Sequence, residues 1–159
     1  MNNLIFCSAC FHIKNYSNIK RENEYLFCLK QLIRFIPNNF KIAVCDNSIK
    51  NIDDLINKDL VNLLNNIDYF FILDRNIGKN NIGMGELDEL SHTYENVDFK
   101  KYDKIIYFTL RKIMTNPWLF DKVNMMKHDA LISNPKFLHI NNNLDFEYSN
   151  PTPNLYNDM

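Results

Sequence analysis

The sequence predicts a single α/β domain, a mostly parallel sheet flanked by helices. Two observations carry that prediction. Short continuous apolar runs alternate along the chain with longer stretches whose apolar residues recur every three or four positions. This is the pattern of strands buried on both faces interleaved with amphipathic helices. The chain also has 159 residues, 46% of them hydrophobic and 23% charged, the size and balance of one ordinary globular domain with its own core.

The elements follow in order. Residues 4–11, LIFCSACF, read as a short buried strand bounded by polar residues. Residues 19–36 place Tyr25, Leu26, Leu29, Leu32, Ile33 and Ile36 at helical spacing, and Pro37 with two asparagines ends that helix. Residues 41–48, KIAVCDNS, are a second buried strand ending in Asp46-Asn47-Ser48. Residues 52–64 form a second helical pattern with acidic residues in its first turn, as the helix dipole favours. Residues 68–74, DYFFILD, are a third strand, followed by a glycine-bearing loop and a helix over 86–94. Residues 103–108, DKIIYF, are a fourth strand. A short helix over 115–123 has Pro117 where a first-turn proline is tolerated. A fifth short strand is predicted at 129–133, and the tail from Asn141, rich in Asn and Pro, reads as loop.

Composition narrows the function classes. A net charge of -1 argues against a general nucleic-acid binder. The first residues carry no basic region of a signal peptide, and no apolar run approaches the roughly 18 residues of a membrane helix. The expectation is a soluble, cytoplasmic protein without a transmembrane segment. Cys7-x-x-Cys10 lacks a second ligand pair at metal spacing. Cys7, Cys28 and Cys45 lie inside apolar patterns, which favours buried free thiols.

In a parallel α/β sheet, ligands bind outside the carboxyl ends of the strands. Three features lie there. Asp46-Asn47-Ser48 closes the second strand. A carboxylate in that place can accept hydrogen bonds from a ribose or a base, and the same residues also make good turns and helix caps. The stretch RNIGKNNIGMGELDEL holds all three glycines of the chain, Gly78, Gly83 and Gly85, with Asn76, Asn80 and Asn81 before Glu86. It is neither a Walker A loop nor a first-strand dinucleotide fingerprint. It reads as a binding loop beside a helix N-terminus, or as a structural turn that needs left-handed angles. Third, Arg111, one of only four arginines, follows the fourth strand, where it could pair with a phosphate or carboxylate or lie solvated at the surface.

In order and spacing, the first strand, VCDNS, the asparagine-glycine loop and IIYFTLRKIMTNP resemble the nucleotide-sugar-binding core of GT-A type glycosyltransferases, a Rossmann-like fold. The likeness is greatest to small glycosyltransferase-like proteins of bacteria and large viruses and covers most of residues 4–135. It implies transfer of a sugar from a nucleotide-sugar donor to a glycan or small acceptor. It implies that Asp46 and Asn47 meet the nucleoside half, and that the 76–86 loop, with Asn76, Gly78, Gly83, Gly85 and Glu86, lines nucleotide and donor sugar. By the same likeness, Asp158 in LYNDM lies near the place of an acidic catalytic base. The family usually carries an Asp-x-Asp after the fourth strand that holds manganese or magnesium against the diphosphate. Here that place reads Thr109-Leu110-Arg111. Two alternatives stay open: Arg111 or Lys112 neutralises the diphosphate without metal, or the chain is a catalytically inactive GT-A-like binding or partner protein. The resemblance also implies acceptor-binding segments after the core, so the expected domain, 1–159, reads as C-terminally short.

Overall fold

The computed structural model describes residues 2–75, 81–125, 137–140 and 146–149. The chain falls into two compact units, Met1–Phe120 and Asp121–Met159.

The first unit is an α/β fold. Its sheet comprises β1 (Asn3–Ala9), β2 (Phe40–Asp46), β3 (Tyr69–Ile72) and β4 (Lys104–Thr109), all parallel, in the order β3-β2-β1-β4. All seven residues of β1 are buried, which is why its sequence, NLIFCSA, is mostly apolar rather than alternating. Alternation along the strands divides the core. Leu4, Phe6, Ala43 and Cys45 form one cluster with Leu73, Leu90 and Val97, on the face where α3 (Ile82–Asn96) packs against β1 and β2. Ile5, Cys7, Ile42 and Val44, of opposite parity, are equally buried. They serve the other face, with α1 (Asn18–Phe35) and α2 (Lys58–Leu64), which pack on one another. Ser17 caps α1, accepting a hydrogen bond from the Lys20 N–H. The helix ends at Ile36, before Pro37, which restricts the residue ahead of it to extended angles.

Three elements depart from the sequence-based expectation. The helix expected over 52–64 is broken into a 3-10 turn, Ile52–Asp54, and α2. Asn57 sits between them, caps α2 through the Leu60 N–H at 3.1 Å and donates its own N–H to Glu22 Oε2 at 2.7 Å. A tertiary anchor therefore overrides local helical propensity. The helix after β3 starts at Ile82, four residues earlier than expected, because Asn81 caps it by accepting from the Met84 N–H. The tail after Asn141 contains a strand, β6 (Phe146–Ser149), paired antiparallel with β5 (Phe137–Ile140) in the second unit. Aromatic residues in FEYS outweigh the loop-forming composition around them. The helix near Pro117 is α4, Trp118–Met125. The strand expected at 129–133 lies outside the described residues.

Among the described residues, no helix is long and apolar enough to cross a membrane.

Candidate functional site

The chain runs from β1 to β2 and β3 on one side of the sheet, then returns to place β4 on the other side of β1. That reversal of direction puts the switch point of the sheet between the carboxyl ends of β1 and β4, the usual ligand place in such sheets. The register brings Ser8 opposite Thr109, with Ala9, Asp46 and Ile72 one rung further along.

The loop after β1 is fixed by an internal network. Cys10 donates its N–H to Tyr25 Oη at 2.9 Å and its carbonyl accepts from Arg21 Nε at 2.6 Å. The Phe11 N–H reaches Asp46 Oδ2 at 2.7 Å, and the His12 N–H reaches Ser48 Oγ at 2.9 Å. The His12 ring lies 2.7 Å from Glu22 Oε1, and that fully buried carboxylate also holds Asn57. Glu22 thus ties the β1 loop, α1 and the cap of α2 together. The sequence signal for it, one of two glutamates among polar neighbours on a helix, is indistinguishable from a solvated position.

Asp46 is fully buried. Its Oδ1 accepts from the N–H groups of Ser48 (2.7 Å) and Ile49 (2.9 Å), its Oδ2 accepts from Phe11, and the Ser48 hydroxyl donates to the carboxylate. Burial pushes the Asp46 carboxyl up from its ordinary range, and these donors pull against that. The carboxylate expected to receive a nucleoside is occupied by the chain's own donors. It acts as a brace joining the ends of β1 and β2.

Asn47, next to it, is different. It is only 8% exposed and its Oδ1 has no hydrogen-bond partner among the described residues. It lines a cleft of about 210 Å³ with Ser48, Ile49, Lys50, Leu73, Asp74 and Arg75, between the carboxyl ends of β2 and β3. A buried acceptor left unpaired costs about 1–3 kcal/mol, and an incoming N–H or O–H would remove that cost.

The glycine segment divides. Asn76 and Gly78 lie outside the described residues, as does Asp158. Gly83, Gly85 and Glu86 belong to α3 rather than to a loop. No described glycine has a positive φ, so left-handed geometry does not explain Gly83 or Gly85. Gly85 is instead buried, as are Glu89 and Thr93. The i, i+4, i+8 spacing puts these three on one inward stripe. The apolar residues Met84, Leu87 and Tyr94 are exposed at 48%, 57% and 62%. α3 therefore turns a small-and-polar stripe inward and leaves part of its apolar one outside.

Glu89, the functional candidate that sequence reading missed, is 1% exposed. Burial, then the negative charges of Asp46, Glu86 and Asp88, push its carboxyl up to about 9, against a hydrogen bond from Ser8. Arg75, the arginine that engages α3, is instead bonded to Asp88 through Nε at 3.0 Å and Nη2 at 2.8 Å. Ser8 Oγ lies 3.2 Å from Tyr107 Oη. The Tyr107 hydroxyl in turn interacts with Glu86 and Thr109, and burial holds its acidity below that of a free tyrosine. A buried carboxyl with a strongly shifted acidity near the strand ends is a recognised mark of functional sites.

Arg111 is exposed just past β4, and its positive field reaches Tyr16 of the β1 loop and Cys28 of α1. Between Thr109 and Arg111, Leu110 is fully buried. Among the described residues no group of three or more His, Cys, Asp or Glu side chains could hold a metal ion. The donors at this place do not fit manganese or magnesium, which take carboxylate and carbonyl oxygens.

No protein-family model, curated protein or solved structure matches the chain.

Proposed function

We propose that the chain is a GT-A-like glycosyltransferase domain that binds a nucleotide sugar across the carboxyl edge of its sheet and passes the sugar to a glycan or small acceptor. The observation that carries this reading is the buried Asn47 Oδ1, unpartnered among the described residues, in its cleft at the carboxyl ends of β2 and β3. An orphaned buried acceptor in a strand-end cleft calls for a ligand donor. Arg111 fits a phosphate group, while Glu86, Asp88 and Glu89 in the second turn of α3 disfavour an anion and suit a neutral, hydroxylated group. In transfer, the bond from the anomeric carbon to the diphosphate oxygen breaks as the bond to the acceptor oxygen forms. Charge on the departing diphosphate is the quantity a cation such as Arg111 stabilises. The four free cysteines accord with the reducing cytoplasm as its place of action.

A thermal-shift screen of nucleotide sugars, with and without manganese, tests the reading, because a ligand of the native state raises apparent stability. Stabilisation by at least one nucleotide sugar and not by the free sugar is expected, with EDTA leaving it unchanged. No shift with any member of the panel overturns the reading. The second reading, a catalytically inactive binding or partner protein, is favoured by the buried Leu110 where the family's acidic pair belongs. Binding without release of nucleoside diphosphate in the presence of acceptors would select it.

A further inference from the structure

Arg21 is a buried cation without a counter-charge. It is 6% exposed, and the ion pairs among the described residues leave it out. Its guanidinium is fixed in place. Nε donates to the Cys10 carbonyl at 2.6 Å, and the ring centroids of Tyr16 and Tyr25 lie 5.8 and 5.5 Å from Cζ. Tyr25 is itself held by the Cys10 N–H at 2.9 Å. The carboxylates of this neighbourhood are committed elsewhere. Glu22 holds His12 and the Asn57 N–H, Asp46 holds the N–H groups of Phe11, Ser48 and Ile49, and Glu24 accepts the Tyr16 hydroxyl at 2.6 Å. The guanidinium also meets the Cys10 thiol, a weak acceptor. Its Nη groups bond to no oxygen among the described residues and do not figure among the sealed, unpartnered atoms, so they reach solvent. A buried charge is costly unless a counter-charge offsets it.

A second cation stands beside the first. The Leu110 N–H reaches the Ser8 carbonyl at 3.4 Å, so the pairing of β1 with β4 continues past Thr109 and brings Arg111 abreast of Cys10. There the chain turns, with the Lys112 N–H on the Thr109 carbonyl at 2.9 Å. The fields of Arg21 and Arg111 both reach the Tyr16 hydroxyl, and the Lys20 ammonium lies 5.8 Å from the centre of the same ring. This is the switch point of the sheet, between β1 and β4.

We propose that Arg21 and Arg111 form an anion site at the switch point, in which the Arg21 fork, held by the Cys10 carbonyl between two tyrosine rings, takes the diphosphate of the ligand. The identity of the anion rests on the nucleotide-sugar reading; the site rests on the unpaired guanidinium. A planar fork matches the paired oxygens of a phosphate, and one already held at Nε loses little freedom when it binds.

Calorimetric titrations decide it, with sodium pyrophosphate, UDP and GDP as diphosphate probes and uridine and guanosine as controls without phosphate. Wild type should bind at least one diphosphate probe, more weakly as sodium chloride is raised, since the contact is between charges. At a temperature where the variants are folded, Arg21→Gln should lose about tenfold or more in affinity for that probe, and Arg111→Ala a smaller factor. If Arg21→Gln does not fold, Arg21→Lys takes its place: it keeps the charge between the rings without the fork, and the loss should still reach about fivefold. Unchanged affinity in the folded Arg21 variant overturns the proposal. An equal loss for uridine or guanosine marks a structural role and overturns it too, as does wild type that binds none of the diphosphate probes. The nucleotide-sugar reading fails separately. Pyrophosphate affinity that depends on Arg21, with no binding of UDP, GDP or any nucleotide sugar, keeps the anion site and removes that reading. Nucleotide-sugar binding that the Arg21 variant leaves intact keeps the reading and removes the site.

Discussion

Asp46 and Glu89 are both buried carboxyl groups at the carboxyl edge of the same sheet, and they are handled in opposite ways. Asp46 sits in a tight turn whose N–H groups converge on it, so the local backbone supplies what water would have supplied. Glu89 projects from the middle of a helix, where the backbone N–H groups are already committed to the helix itself, and it has a serine hydroxyl and acidic neighbours for company. A turn can solvate an anion and a helix interior cannot. The first end of the edge is consolidated by its charge. The second is kept at a cost in stability, the usual mark of a place selected for function.

The sharpest way to break this comparison is Asp46→Ala. It strands the buried N–H groups of Phe11, Ser48 and Ile49, and at about 1–3 kcal/mol for each unsatisfied donor the loss of stability should exceed about 3 kcal/mol. Denaturant unfolding measures it. A well-folded variant with only weakened ligand binding would make Asp46 a recognition residue and erase the contrast. Asn47→Ala should do the reverse. Removing an acceptor that has no partner leaves stability within about 1 kcal/mol of wild type, while affinity for the nucleotide falls about tenfold, or about 1.4 kcal/mol. Calorimetric titration beside a melting curve separates the two effects, and unchanged affinity would return the cleft to a packing defect. The smallest effect is expected at Gly83. It lies in the first turn of α3, and an added Cβ would meet Asn81 Oδ1 at 3.5 Å, an ordinary contact. Gly83→Ala should therefore stabilise the chain by about 0.5–1 kcal/mol through lower unfolded-state entropy. A destabilised variant would mean that the segment needs loop geometry after all.

The fold was largely legible because a strand buried on both faces leaves an unmistakable apolar run, as in LIFCSACF and KIAVCD. The failures share a cause. The break before α2 depends on Glu22 holding Asn57 from 35 positions away, and no local window contains both. The start of α3 turned on reading glycine as a breaker where Asn81 supplies a cap. At the site, strand ends and their residues were visible, but which of them face inward was not. The internal donors that hold Asp46 could not be foreseen, because a carboxylate's partners are unreadable from sequence. Glu89 was invisible because the apolar residues of α3 suggest a different inward face from the one the helix presents. The Gly85, Glu89, Thr93 spacing was the available signal.

The cysteines have a consequence of their own. Cys7 on β1, Cys45 on β2 and Cys28 on α1 are buried. Burial pushes the Cys7 and Cys45 thiols far up, and that of Cys28 up to about 12, so none offers a thiolate to an alkylating reagent while the sheet is closed. Cys10, half-buried in the loop after β1, is the most accessible of the four, although burial and the Asp46 charge push its thiol up as well. The chain thus carries its own clock: the first labelling event reads the loop, and the later ones time how often the centre of the sheet opens, strand by strand, to the solvent.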